Sequence, residues 1–216
     1  MNLPKLYPIT DTRLSRLSHA EQVSRLADGG ATFIQLREKH LSPREFYEET
    51  EAALDIARER GVRLIVNDRA DIALALGADG LHLGQDDLDP TAARRLLGTN
   101  FIIGYSTHTV AQAIEAARLP LDYIALGPIF DTRTKQNPAP TIGLEALRRV
   151  RDSIDPSVAL VAIGGITQAN ARAALDAGAN SVAVISALLD APDLIAQRTK
   201  EFIKSPGWKV EVYGSD

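Results

Sequence analysis

Eight short apolar runs rich in Ile, Val and Leu recur from one end of the chain to the other: KLYPIT, ATFIQLR, RLIVND, GLHLG, FIIGYS, YIALGP, ALVAIGG and SVAVIS. Their length and β-branched content suit strands buried on both faces, as in a parallel sheet. Between most of them lie longer segments with helical periodicity, such as REFYEETEAALDIARERG and ITQANARAALDAGAN. Ser42-Pro43-Arg44-Glu45 combines a capping serine, a proline suited to the first helical position and a glutamate that can close a capping box. Gly29, Gly61, Gly77, Gly98 and Gly178 stand where helical segments end. Eight strands, each followed by a helix and the last helix near residues 191–204, predict a closed (β/α)8 TIM barrel, because closure removes both sheet edges. An open doubly wound sheet is the competing architecture. It would carry GxGxxG in its first turn, where this chain has KLYPITDTRL. At 216 residues one core suffices, so residues 1–216 are expected to form a single domain, with 205–216 a loose C-terminal tail.

A barrel gathers the residues that follow each strand at one rim, where barrel active sites lie. The second run ends in QLREK, and alternation aims Gln35 and Arg37 into the same space with Lys39 just beyond. Two nearby cations can hold a di- or polyphosphate; an ion pair with Glu38 or with a helix is the alternative. The third run ends at Asn67 and Asp68, and the fourth in LHLGQDD, with His82, Gln85, Asp86 and Asp87. Asp68 and Asp87 on adjacent strands suit Mg2+, a hard cation content with one or two carboxylates plus phosphates. Helix capping accounts equally for Asn67, Asp68 or Asp87, and His82 is readable as a satisfied core histidine. The fifth run contributes Ser106 and His108, with no GxSxG elbow beside them. After the sixth run, seventeen residues from Gly127 to Gly143 precede the next helical pattern, and connections that long are commonly functional. Thr132, Thr134 and Lys135 lie there. The seventh and eighth runs end in AIGGIT and VISALL. Gly164 and Gly165 allow close approach to the backbone, Thr167 can cap a helix, and Ile185 and Ser186 add N–H groups at the usual phosphate site of this fold. The rim therefore offers two anion sites, one cationic beside carboxylates and one built from backbone.

The series YPITD, QLREK, VND, LHLGQDD, GYSTH, GPIFDTRTK, AIGGI and VISAL, in this order over nearly the full length, resembles the thiamine-phosphate synthase family. The resemblance implies a transferase of thiamine biosynthesis on a (β/α)8 barrel. It would join 4-amino-5-hydroxymethyl-2-methylpyrimidine diphosphate to hydroxyethylthiazole phosphate, with dissociative loss of diphosphate. It implies that Asp68 and Asp87 ligate Mg2+, the implied cofactor, and that Arg37, Lys39, Asn67 and Lys135 surround the diphosphate as catalytic groups. Gln35 and His82 would belong to the pyrimidine pocket and Ser106 to a further substrate contact. Thr132 and Thr134 would face the thiazole phosphate, with Gly165, Ile185 and Ser186 forming its backbone-lined site. Two positions depart from the family pattern: Asp131 stands where proline is frequent, and Ala183 where serine is frequent.

The nearest rival is a thiazole tautomerase of the same superfamily, which tends to carry histidine where this chain has Pro128. A non-catalytic thiamine-phosphate binder would tolerate loss of Asp68, Asp87 and Lys135, and all three are present. The expected partners are two phosphorylated small molecules, with a homodimer left open. A formal charge of −4 disfavours nucleic acid and anionic membrane. The absence of cysteine removes thiol catalysis and Cys-ligated zinc and fits a cytoplasmic location, as does an N-terminus with no long apolar stretch.

Overall fold

The order of elements in the computed structural model, which describes residues 1–132 and 139–205, is eight strands with helix between and after them. The strands are β1 (Leu6–Pro8), β2 (Phe33–Leu36), β3 (Arg63–Asn67), β4 (Gly80–Leu83), β5 (Ile102–Thr107), β6 (Tyr123–Leu126), β7 (Ala159–Ile163) and β8 (Ser181–Val184). Each falls inside one of the eight apolar runs, save that β5 runs one residue past FIIGYS to Thr107. The helices are α1 (Thr12–Ser15), α2 (His19–Asp28), α3 (Pro43–Glu59), α4 (Ala70–Leu76), α5 (Pro90–Leu97), α6 (Val110–Ala116), α7 (Gly143–Ser153), α8 (Gln168–Asp176), α9 (Ser186–Leu189) and α10 (Ile195–Ile203). Two positions differ from the simple count: β1 and β8 are each followed by a four-residue helix before the longer one.

Local chemistry accounts for the helix starts. Ser42 accepts from the Glu45 N–H while Glu45 reaches back to Ser42, with Pro43 opening α3. Ser18 and Glu21 repeat the box at α2, and Thr167 and Asn170 form one at α8. Asp89 caps α5 ahead of Pro90, so Asp87 is released from the capping role open to it in the sequence. Neither Asn67 nor Asp68 caps α4, whose N-cap is Arg69. Gly29, Gly77 and Gly98 take C-cap positions, and Gly61 and Gly178 the position after.

All neighbouring strands pair in parallel, in the order β1-β8-β7-β6-β5-β4-β3-β2. The ring closes between the ends of that list through the Ile9–Gln35 bridge, where the Thr10 N–H donates to the Gln35 carbonyl at 2.9 Å. The parity of each strand then divides the core. Outward side chains such as Ile34, Leu36, Leu64, Val66, Leu81 and Ile124 pack with the helices. Inward ones, among them Tyr7, Phe33, Ile65, Tyr123 and Val161, fill the barrel as a second cluster stoppered by Leu3. Tyr7 lies 4.7 Å from Phe33 and 5.8 Å edge-on from Tyr123, so aromatic rings take up most of the lower interior. Above them the same parity points Gln35, Asn67, His82 and Ser106 towards the C-terminal rim.

Candidate active site

The inward polar residues line a narrow inner cavity. Its walls include Gln35, Arg37, Asn67, His82 and Ser106, closed below by Tyr7 and laterally by Ala125 and Ala183. Gln35, Asn67 and His82 are buried, at 2%, 6% and 5% exposure, which makes their polar atoms costly unless paired. His82 meets that demand with Nδ1 at 2.9 Å from the Tyr123 hydroxyl and Nε2 at 2.8 Å from Ser106 Oγ. It is thus a core histidine that also forms cavity wall; the two readings open in the sequence are one residue.

A wider cleft, with about 630 Å³ of empty space including its mouth, adjoins the inner cavity. Ser106, Ile163, Ala183 and Ile185 face both. Thr132, His108, Gly165 and Ser186 lie on the wider side. His108 does not start α6, whose N-cap is Thr109; its Nδ1 pairs with the Gly127 carbonyl at 2.7 Å. The glycine pair lines this cleft and also admits a close approach from within the chain. A Cβ on Gly164 would lie 2.5 Å from Pro128 Cα, and one on Gly165 would lie 2.4 Å from the Asp131 carbonyl oxygen. Both also have positive φ, 98° and 63°. The close approach is made by the segment after β6, whose Ile129 and Phe130 N–H groups bond the Ile163 and Gly164 carbonyls at 2.9 and 3.0 Å. Asp131, exposed, accepts from the Thr141 hydroxyl at 2.7 Å and ties the two ends of the long connection together. Thr134 and Lys135 lie outside the described residues, as do residues 206–216 of the tail.

At the mouth of the inner cavity a third group assembles. Arg37 pairs with Asp11 at 3.2 Å, and the Lys39 ammonium pairs with Asp68. Neither cation pairs with Glu38, the alternative open in the sequence. Glu38 instead turns inward, 3% exposed, and accepts from the Lys39 and His40 N–H groups at 2.7 Å each and from the Thr12 hydroxyl at 2.9 Å. His19 Nε2 stands 3.5 Å away. These contacts hold the Glu38 carboxyl well below the usual range, the His19 imidazole contributing most and burial opposing it. Glu38 therefore folds the loop that presents Lys39.

Asp68 has φ of 65°, one of two non-glycine residues with positive φ among the described residues, and the Arg69 N–H reaches back over it to the Asn67 carbonyl at 2.8 Å. Such a tight turn at a strand end is strained for a branched polar residue. It brings the Asp68 carboxyl into hydrogen-bond reach of Asp87, which is itself anchored by the Gly84 N–H at 2.6 Å. Burial, joined by the Asp87 carboxyl, raises the Asp68 pKa, although Lys39 pulls it down. Two oxygen-rich side chains crowded together are short of positive charge, which is the condition a hard divalent cation relieves. No cluster of three His, Cys, Asp or Glu forms among the described residues. A cation here would draw on two carboxylates and on ligands from outside the protein.

Sequence reasoning found the rim residues and missed those beneath them. Asp11 and Glu38 sit inside motifs already singled out, YPITD and QLREK, yet no local signal marks Asp11 as the partner of a residue 26 positions on. Tyr7 and Tyr123 share inward parity with Gln35 and His82, the one clue available, and are 116 positions apart.

A family model described as thiamine monophosphate synthase matches residues 6–188. A thiamine-phosphate synthase of Chloroflexus aurantiacus is 48% identical over 193 residues, covering 89% of this chain and 88% of that one. One from Albidiferax ferrireducens is 45% identical over 202 residues, covering 92% and 91%. The solved thiamine phosphate pyrophosphorylase of Pyrococcus furiosus superposes with a TM-score of 0.84 at 40% identity, over 94% of this chain and 95% of that one. With a matching model over most of its length and relatives this similar, the chain belongs to the thiamine monophosphate synthase family.

Proposed function

We propose that this protein is a transferase that joins an aminopyrimidine methyl diphosphate to a thiazole phosphate, giving thiamine phosphate and diphosphate, within a single barrel domain. The observation that carries the reading is the adjacency of three environments. A flat, polar-ended inner cavity opens on one side to the Arg37, Lys39, Asp68 and Asp87 group, and on the other to the wider cleft. A pyrimidine in the first places its exocyclic methylene between a diphosphate in the second and a thiazole in the third.

Each residue then has a task. Gln35, His82 and Ser106 hold the pyrimidine ring by its edges and exclude water from it. As the carbon–oxygen bond breaks, the electron pair leaves with the diphosphate, and Arg37, Lys39, Asn67 and Lys135 neutralise the charge that grows there. Asp68 and Asp87 would hold Mg2+, which when bound supplies further positive charge to the departing diphosphate. The amino group of the pyrimidine stabilises the cation left behind, and the thiazole nitrogen closes the new carbon–nitrogen bond. That nitrogen bears no proton, so the site has no need of a general base. Thr132 and Thr134, with the backbone of Gly165, Ile185 and Ser186, would fix the thiazole phosphate. Ala183, facing both cavities, leaves room in place of a hydroxyl. Among the described residues no helix is long and apolar enough to cross a membrane, and a cytoplasmic setting and a homodimer belong to the same proposal.

The test is product formation. Purified protein given both substrates and Mg2+ should yield thiamine phosphate and diphosphate in equal amounts, with strong loss on chelation. No thiamine phosphate from the complete mixture contradicts the proposal.

A further inference from the structure

Four hydrogen bonds run end to end through the barrel interior. Gln35 Nε2 donates to the Tyr7 hydroxyl at 2.9 Å, and the Tyr7 and Tyr123 hydroxyls are 2.7 Å apart. The Tyr123 hydroxyl is 2.9 Å from His82 Nδ1, and His82 Nε2 is 2.8 Å from Ser106 Oγ. Both ends, Gln35 and Ser106, lie in the wall of the inner cavity. Burial pushes both phenols well above their ordinary pKa, so each keeps its single hydrogen.

With the Gln35 amide nitrogen towards Tyr7, pairing every hydrogen in the chain orders each link in turn. The Tyr7 oxygen accepts from Gln35, so its own hydrogen goes to Tyr123. The Tyr123 hydrogen goes on to His82 Nδ1. A neutral imidazole that accepts at Nδ1 carries its hydrogen on Nε2, which donates to Ser106 Oγ. The Ser106 hydrogen and one lone pair are left for the cavity, and at the other end so are Gln35 Oε1 and its second Nε2 hydrogen. Reversing one link reverses all of them, so the two ends cannot choose their polarity independently.

We propose that Tyr7 and Tyr123 are positioning residues that couple the Gln35 amide to the Ser106 hydroxyl, so that the cavity presents the Gln35 carbonyl oxygen at one end and the Ser106 hydroxyl hydrogen at the other. That polarity matches an aminopyrimidine, whose exocyclic amine donates and whose ring nitrogen accepts. The oxo analogue offers a carbonyl and a ring N–H in the same places and would have to turn to the second Gln35 N–H and the remaining Ser106 lone pair. The inference rests on reading the inner cavity as the pyrimidine site. Space for the relay is made by Gly104: a Cβ there would lie 2.0 Å from Tyr123 Cζ and 2.4 Å from its hydroxyl oxygen.

The test combines nitrogen-15 NMR of the His82 ring with kinetics of Tyr123→Phe, which removes one hydroxyl and keeps the ring. Wild type should show the Nε2–H tautomer alone. The variant should lose that single-tautomer signature, with KM for the pyrimidine diphosphate raised about tenfold and KM for the thiazole phosphate unchanged. An Nδ1–H tautomer in wild type overturns the proposal, as does an unchanged pyrimidine KM in the folded variant. Should Tyr123→Phe fail to fold, Tyr7→Phe is read in the same way. Absence of synthase activity in wild type contradicts the proposed function instead, and the tautomer then decides the relay alone.

Discussion

Gly104→Ala is the smallest change that strikes the interior on which the site stands. Gly104 is not among the glycines with positive φ, so the added methyl is judged on space alone. Its position lies 2.0 Å from Tyr123 Cζ and 2.4 Å from both Cε2 and the hydroxyl oxygen, all on a ring that is fully buried. The ring must move, and it cannot move without losing its bonds to Tyr7 and His82. Forcing a methyl into a filled core costs about 1–3 kcal/mol. Leaving a buried hydroxyl poorly paired adds about 1–3 kcal/mol. The sum, about 2–6 kcal/mol, corresponds to a fall in Tm of about 4–24 °C for a chain of this length. Thermal unfolding followed by circular dichroism measures it. A variant melting within about 2 °C of wild type would show that the Tyr123 ring is not confined as described.

Other outcomes follow from the rim. Asp87→Asn should lower turnover by about 10²-fold or more, as should Lys135→Ala, if both act on charge developing in the transition state; near-normal rates at saturating Mg2+ would remove that role. Asp11→Ala frees Arg37 and removes the cap that bonds the Leu14 N–H at 3.0 Å, so stability should drop by about 1 kcal/mol while KM for the pyrimidine diphosphate rises. Glu38 has a depressed folded pKa, so its stabilisation is present above its ordinary value of 4.5 and is lost as the pH falls further. Glu38→Gln should melt lower at pH 7 and show a shallower loss of stability below pH 4.5, read from melting curves across that range.

The architecture was legible because a buried parallel strand writes itself into consecutive residues. Each apolar run holds its strand to within one residue, and period-two alternation placed Gln35 with Arg37 on the wall of the inner cavity. The rim was legible for the same reason, since a barrel turns the end of every strand into one place. What escaped was set by partners distant in the chain. Nothing near Asp68 announces its left-handed turn, and nothing near Gly104 announces a tyrosine ring against it. The GG of AIGGIT signalled close approach, and the protein backbone that makes one is Pro128–Asp131. Asp131, unplaced in sequence, became a tie between the ends of its loop once Thr141 stood beside it.

The central claim is that the inner cavity takes the pyrimidine while the diphosphate lies at the Arg37–Lys39 end. A crystal structure with thiamine phosphate, diphosphate and Mg2+ bound measures this directly. The pyrimidine should lie within hydrogen-bond distance of Gln35 and Ser106, with the metal on Asp68 and Asp87. A pyrimidine seated in the wider cleft, or a diphosphate away from Arg37 and Lys39, would contradict the account.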